Sequence, residues 1–163
     1  MTEHGAQLAG SGIFGGLSAD ELELVSAAAR PVWFGAGERL FLEGTPARGC
    51  WLIQDGCVAL DLLVPGRGQV VVQTLGRGDV LGWSWLLPPY QWNFGAVALR
   101  PTAATELDTD QLRTIADQDP RFGYALTLSL FQACVQRLQA TRARLLDLYR
   151  SPQGQYRSPH GQH

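Results

Sequence analysis

The sequence of 163 residues contains no lysine, and all 13 of its Lys and Arg residues are arginines. This absence excludes Schiff-base catalysis and a phosphate-binding P-loop, because both depend on a lysine amine. The histidines are His4, His160 and His163, so no core histidine is left to act as a metal ligand or a general base. We therefore expect a protein that is not an enzyme and that holds no metal.

Charge is sparse as well. Charged residues make up 17% of the chain and the formal net charge is −2, which argues against a general binder of nucleic acid or of anionic membranes. The N-terminal segment lacks the basic and apolar regions of a signal peptide, and the apolar runs are too short to cross a membrane. We expect a cytoplasmic protein.

The cysteines give no sign of a metal or redox site. Cys50, Cys57 and Cys134 lie in apolar surroundings, and no two of them have CxxC spacing. This pattern predicts buried, reduced thiols, which are typical of proteins of the cytoplasm.

The chain is long enough for one domain. A hydrophobic content of 45% over 163 residues can form one buried core. Residues 1–12 are glycine-rich and are predicted to be flexible, and residues 13–149 form the predicted domain. Residues 150–163 are polar and contain proline and glycine, so they predict a disordered tail.

Helical patterns flank the domain. Ser18 is a candidate N-cap with Glu21 three residues later, which is the pattern of a capping box. A short helix is predicted from about residue 109 to about residue 116, and segment 121–149 predicts a long final helix with two apolar sides. One side has the spacing of a coiled-coil dimer seam, although a single wide core-facing stripe is the alternative. That seam comprises Leu128, Phe131, Val135, Leu138, Arg142, Leu145 and Tyr149, and the second apolar line comprises Phe122, Leu126, Leu130 and Cys134.

Residues 31–108 have a different pattern. Short β-rich runs alternate with glycine, proline and aspartate, which is typical of an antiparallel barrel or jelly roll. We predict separate strands in the runs 94–101 and 102–108. The segment Pro65-Gly66-Arg67-Gly68 predicts a hairpin turn between two Val- and Leu-rich strands.

Three glycine-bearing motifs carry a family resemblance. They read Gly37-Glu38-x-Leu40-Phe41-x-Glu43-Gly44-x-x-Ala47, Trp51-Leu52-Ile53-x-x-Gly56-x-Val58 and Leu75-x-x-Gly78-Asp79-x-Leu81-Gly82. In this order they resemble the cyclic nucleotide-binding domain of catabolite-activator-type regulators and of protein kinase A regulatory subunits. In addition, Arg137-Leu138-Gln139-Ala140-Thr141 resembles the part of the activator's long helix that caps the nucleotide base.

The resemblance implies a mainly β fold with flanking helices. This fold is a β-jelly roll with an N-terminal helix and a long C-terminal helix that serves as the seam of a homodimer. The family's DNA-binding regulators carry a winged helix-turn-helix after that helix. The coil-like residues after Tyr149 contain no candidate recognition helix, so we expect a stand-alone domain that does not bind DNA by itself.

The resemblance also implies where a cyclic nucleotide would bind. In the family, a loop-helix that begins with glycine supplies a Glu for the ribose 2′-hydroxyl, and an Arg and backbone N–H groups for the phosphate. Here Trp83 stands at the Glu position, and Trp92 or, with a one-residue gap, Asn93 stands at the Arg position. The candidate phosphate-loop residues are Gly82, Trp83, Ser84, Trp85, Trp92 and Asn93.

The wall that would contact the base is better matched. The resemblance places Leu60 and Val72 against the base, although a role as ordinary core residues is the favoured interpretation for both. It also places Thr141 at the base from the long helix, and Arg142 is close enough to reach the pocket mouth.

Two hypotheses about function stay open. The first is a sensor or regulatory domain with an altered, aromatic-rich pocket that acts through contact with a protein partner, which the sequence does not identify. Its candidate ligands are cyclic AMP, cyclic GMP or another small molecule. The second is a ligand-free dimeric scaffold or adaptor whose pocket is filled by its own tryptophans.

Overall fold

The protein is described here by a computed structural model that covers Leu8 and residues 10–150. Most of the predicted flexible N-terminus and nearly all of the predicted tail lie outside the described residues. In chain order the elements are α1 (Ala19–Ala27), β1 (Ala29–Phe34), β2 (Arg39–Phe41), β3 (Cys50–Val64), β4 (Gly68–Leu75), β5 (Val80–Leu81), a 3-10 helix (Ser84–Leu86), β6 (Gly95–Leu107), α2 (Thr109–Gln118) and α3 (Pro120–Arg150).

The strands form one antiparallel sheet around two long central strands. The order is β1–β6–β3–β4, with β2 also paired to β6 and β5 also paired to β3. The hairpin predicted at residues 65–68 joins β3 to β4, and within it the Arg67 N–H donates to the Val64 carbonyl at 3.0 Å. The predicted mainly β fold with an N-terminal helix and a long C-terminal helix is confirmed.

One strand differs from the prediction. Residues 94–101 and 102–108 belong mainly to a single strand, β6, which continues through Pro101. The register between β3 and β6 is irregular from Ile53 to Val58, so a proline without an N–H is accommodated where the ladder is already interrupted. Gly56, with a φ of +112°, lies in this irregular stretch and accepts a hydrogen bond from the Arg100 side chain.

The start of α1 follows the predicted capping box. The Glu21 N–H donates to Ser18 Oγ at 3.3 Å, and the Ser18 N–H donates to Glu21 Oε2 at 2.7 Å. These two bonds satisfy N–H groups that have no partner within the helix. The helix then packs on the core through Val25, which is fully buried.

The long helix α3 presents two apolar faces, as its sequence predicts. Phe122, Leu126 and Leu130 are buried in the core. Most of the predicted seam residues are exposed on the other face, and Val135 is half-buried. The exposed seam residues are Leu128, Phe131, Leu138, Arg142, Leu145 and Tyr149. In the part of the chain that the structure describes, no helix is long and apolar enough to span a membrane.

Candidate functional site

The connection between β5 and β6 carries the aromatic residues that the sequence singles out. Its first part forms the 3-10 helix Ser84–Leu86. Its last part is held by backbone hydrogen bonds to the connection between β2 and β3: the Trp92 N–H donates to the Thr45 carbonyl at 2.9 Å, and the Gly44 N–H donates to the Trp92 carbonyl at 2.8 Å. The β2–β3 connection therefore holds both the N–H and the carbonyl of Trp92.

The Trp92 side chain lies in the core, with only 5% of its surface exposed. Its ring stacks on Phe41, with the ring centres 3.9 Å apart and an interplanar angle of 14°. The ring centre of Trp51 lies 6.1 Å from that of Trp92 and 5.8 Å from that of Phe41. Aromatic stacks of this kind add to the stability gained by burying the rings, so Trp92 is a packed core residue.

Trp83 lies at the edge of the same region and is half-buried. The guanidinium of Arg137, on α3, lies over its ring at 4.2 Å from the ring centre and also donates a hydrogen bond to the Val80 carbonyl. This cation–π contact fastens the long helix to the loop.

A second arginine holds the other end of the loop. Arg113, on α2, donates to the Trp85 carbonyl and lies 6.0 Å from the centre of the Trp85 ring and 5.0 Å from that of Tyr90. The Trp85 side chain is fully buried. Two helices therefore hold the loop by the same kind of contact.

A small cavity lies between the loop and the sheet. It has a volume of about 70 Å³, whereas sites for small molecules usually measure about 300–1,000 Å³. Six of the predicted site residues line it together: Leu60, Gly82, Trp83, Ser84, Trp92 and Asn93. The remaining lining residues are Phe41, Gln73, Leu81, Phe94 and Arg137.

Four predicted site residues lie elsewhere. Trp85 is buried without lining the cavity, and Arg142 is exposed on the outer face of α3. Thr141 is also exposed, and its hydroxyl donates to the Arg137 carbonyl at 3.0 Å. Val72 is 48% exposed, its neighbours Val70 and Val71 on β4 are exposed as well, and the register of β3 and β4 shifts there so that Leu60 pairs with Gln73. Gln73 therefore takes the place on the cavity that the sequence assigns to Val72.

None of the five remaining lining residues was assigned to the site from the sequence, although Arg137 begins the segment that resembles the base cap. Arg137 continues the inner apolar line of α3, since Cys134 follows Leu130 by four residues and Arg137 follows Cys134 by three. That spacing places an arginine against the sheet, and it is the signal that identifies Arg137. Phe41 stands inside the first glycine-bearing motif, but nothing in the sequence pairs it with Trp92.

Within Leu8 and residues 10–150, no group of three or more His, Cys, Asp or Glu side chains could hold a metal ion. The three cysteines are free thiols, and burial raises the pKa of the Cys50 thiol to about 12.

A family model identifies the family of this chain. Residues 31–119, from β1 to the end of α2, match the family model described as the cyclic nucleotide-binding domain. The chain belongs to this family. The family is a regulatory, ligand-binding one, and the predicted resemblance is confirmed. A comparison with curated protein sequences finds no significant match.

Solved structures show the same fold as this cyclic nucleotide-binding domain. A cyclic nucleotide-binding domain from Methylobacillus flagellatus has a TM-score of 0.73 at 20% identity, over 96% of this chain and 91% of that one. The catabolite activator protein of Thermus thermophilus has a TM-score of 0.64 at 22% identity, over 84% and 62% of the two chains. The regulatory domain of Toxoplasma gondii protein kinase A with cyclic AMP has a TM-score of 0.62 at 24% identity, over 69% and 42%.

Proposed function

We propose that this chain is a dimeric regulatory domain with an altered, aromatic-rich ligand pocket, and that it acts by contact with a protein partner. The observation that carries this proposal is the stack of Trp92 on Phe41 at 3.9 Å, which leaves a cavity of about 70 Å³. A volume this far below that of ordinary small-molecule sites supports the loss of the family's usual mode of cyclic nucleotide binding. The proposal includes no catalytic activity.

The missing charges support the same conclusion. The family resemblance implies a Glu for the ribose and an Arg for the phosphate, whereas Trp83 stands at the Glu position and Trp92 or, with a one-residue gap, Asn93 stands at the Arg position. Each charge-assisted hydrogen bond that is lost costs about 1.5–3 kcal/mol, which is about one to two orders of magnitude in affinity. Losing both would put cyclic AMP or cyclic GMP well outside the usual range of binding.

Helix α3 supports an output through contact with a protein partner. Its outer face exposes large apolar side chains, among them Phe131 at 62% and Leu138 at 50%. Exposed apolar residues at heptad spacing are usually buried by a second helix. A two-fold symmetric pair of α3 helices is the arrangement that the spacing favours. The free thiols of Cys50, Cys57 and Cys134 fit a reducing compartment such as the cytoplasm.

A second candidate function is a ligand-free scaffold. The small volume of the cavity and the burial of Trp92 favour it. In that case the tryptophans serve only as core, and the dimer alone is the functional unit. The two candidates differ in one property, namely whether any small molecule stabilises the fold.

Calorimetric titration with millimolar cyclic AMP or cyclic GMP, together with thermal melting, tests the proposal. We expect no heat of binding and no rise in Tm, whereas a ligand at a hundred times its Kd would add about 2.7 kcal/mol to the stability. Binding of cyclic AMP with a micromolar Kd, together with the displacement of Trp92 from Phe41, would overturn the proposed loss of the usual mode.

A further inference from the structure

A second, larger opening adjoins the small cavity. It is a groove of about 320 Å³ between α3, the connection from β4 to β5 and the segment at residues 11–13. This volume reaches the size of ordinary small-molecule sites. Its lining includes Asp79, Ala133, Arg137, Ala140 and Arg144.

Arg137 lies at the boundary between the two openings and lines both. One face of its guanidinium covers the Trp83 ring, and one N–H group donates to the Val80 carbonyl. Among the described residues no carboxylate forms an ion pair with it, since the ion pairs found there join Arg30 to Glu106 and Arg39 to Asp61. Arg137 therefore keeps N–H donors that no side chain accepts from.

The surroundings of Arg137 are unfavourable for an unpaired charge. Burial lowers the pKa of its guanidinium below the ordinary arginine value, and the carboxylate of Asp79 opposes this shift only at a distance. Asp79 is itself engaged in its own turn, where it accepts from the Gly76 N–H at 2.8 Å. A desolvated guanidinium is stabilised much more by an anion than by a carbonyl and a ring face.

The groove also contains a second arginine. Arg144 lies two helical turns after Arg137 on α3 and lines the same groove. Ala140 lies between the two arginines along α3, and Ala133 lies one turn before Arg137. Both alanines line the groove, so the helix presents positive charge next to an apolar surface. Two arginines outnumber the one carboxylate in the lining.

We propose that this groove binds a small organic anion, whose carboxylate or phosphate group pairs with Arg137 and Arg144 and whose body lies along Ala133 and Ala140. The inference rests on the proposed regulatory function, because it names the class of ligand that the regulatory domain would bind. The bound anion also attracts the guanidinium of Arg137, which covers the Trp83 ring. Occupation of the groove is thus transmitted to the loop that begins at Gly82.

The binding experiment uses three probes on the full chain: benzoate, phenyl phosphate and, as a neutral analogue, benzyl alcohol. Calorimetry measures affinity, and the indole N–H signals of the five tryptophans report on Trp83, which is assigned with the Trp83→Phe variant. We expect at least one anion to bind and to shift the Trp83 signal, while benzyl alcohol does neither. Binding of benzoate alone assigns a carboxylate ligand, and binding of phenyl phosphate alone assigns a phosphate ligand.

Variants locate the site. Arg137→Gln is expected to weaken the anion about 10- to 100-fold, because one charge-assisted pair is lost. Arg113→Gln is the matched control: this arginine also contacts a tryptophan ring and donates to a carbonyl, but it does not line the groove. Ala140→Phe fills the groove from an exposed helix position and keeps Arg137, so it abolishes binding even if Arg137→Gln fails to fold.

Several results overturn the inference. These are the absence of binding by both anions, equal binding of benzyl alcohol, and equal weakening in Arg113→Gln and Arg137→Gln. Undiminished binding in Ala140→Phe overturns it as well. A different result would contradict the proposed function. That result is binding of cyclic AMP that displaces Trp92 and is unchanged in Ala140→Phe.

Discussion

Gly82 lies directly against the ring of Trp92. A Cβ atom at Gly82 would lie 2.9 Å from Trp92 Cη2 and 2.9 Å from the carbonyl oxygen of Gly49. The backbone of Gly82 also has a φ of +89°, a conformation that residues with a Cβ rarely adopt. The glycine that begins the family's loop is therefore the residue that lets a tryptophan occupy the cavity.

Gly82→Ala is expected to destabilise the fold. The strain of a positive φ costs about 1–3 kcal/mol, and the displacement of the Trp92 ring adds a comparable amount. Gly37→Ala is the matched control, since Gly37 has a φ of +82° but no atom within 4 Å of the added Cβ. Urea unfolding measures both variants. Equal losses of stability in the two variants would show that the contact of Gly82 with Trp92 contributes nothing to the free energy of unfolding.

Local patterns in the sequence predicted the elements of the fold well. The capping box at Ser18, the turn at residues 65–68 and the two apolar lines of the final helix each depend on residues a few positions apart. Such signals can be read without knowledge of distant contacts. The continuity of β6 through Pro101 could not be predicted, because it depends on the irregular register of β3 near Gly56.

The candidate site was predicted only in part, and for the same reason. The family resemblance placed Gly82, Trp83 and Trp92 in one loop that binds the ligand, and these residues do share a cavity. The pairing of Leu60 with Gln73 in place of Val72 follows from a register shift between β3 and β4, which a pattern of alternating residues does not reveal. The contact of Arg137 with Trp83 joins residues 54 positions apart by number, so it follows from tertiary packing alone.

Cys50 is expected to resist thiol reagents in the native protein. Because burial raises its pKa to about 12, its thiolate fraction at pH 8 is smaller by about three orders of magnitude than that of an ordinary thiol. Labelling with a disulfide reagent at pH 8 should leave one protected thiol in the native state and none in urea. Cys50→Ala should remove the protected thiol and leave the other labelling rates unchanged. Comparable native rates for all three thiols would contradict the burial of Cys50.

Leu138→Glu is expected to convert the protein from dimers to monomers. Leu138 is 50% exposed in the single chain and stands in the middle of the outer face of α3, where a charge would face its symmetry mate. Gln139→Glu adds the same charge one position away and should leave the dimer intact. Sedimentation of the wild type and both variants at tens of micromolar measures the change. A monomeric wild type would contradict the seam.

Positions 83 and 92 should respond very differently to the charges that the family resemblance implies. Trp83 is half-buried beside Arg137, at 4.2 Å, so the carboxylate of Trp83→Glu can pair with that guanidinium. Trp92 is 5% exposed and packs against both Phe41 and Trp51. A guanidinium there would be buried among rings without an anion, which is strongly unfavourable.

We therefore expect Trp83→Glu to change the stability by no more than about 1 kcal/mol, whereas Trp92→Arg should cost about 3–5 kcal/mol. Trp92→Phe, which keeps a ring on Phe41, is the control and should lose less than Trp92→Arg. Thermal melting and urea unfolding measure the stabilities, and calorimetry with cyclic AMP follows for each folded variant and for the double variant Trp83→Glu, Trp92→Arg. A double variant as stable as the wild type that gains cyclic AMP binding would show that the pocket is open to water and would exclude the scaffold whose pocket is filled. An unfolded double variant next to a folded Trp83→Glu protein supports a pocket that Trp92 fills.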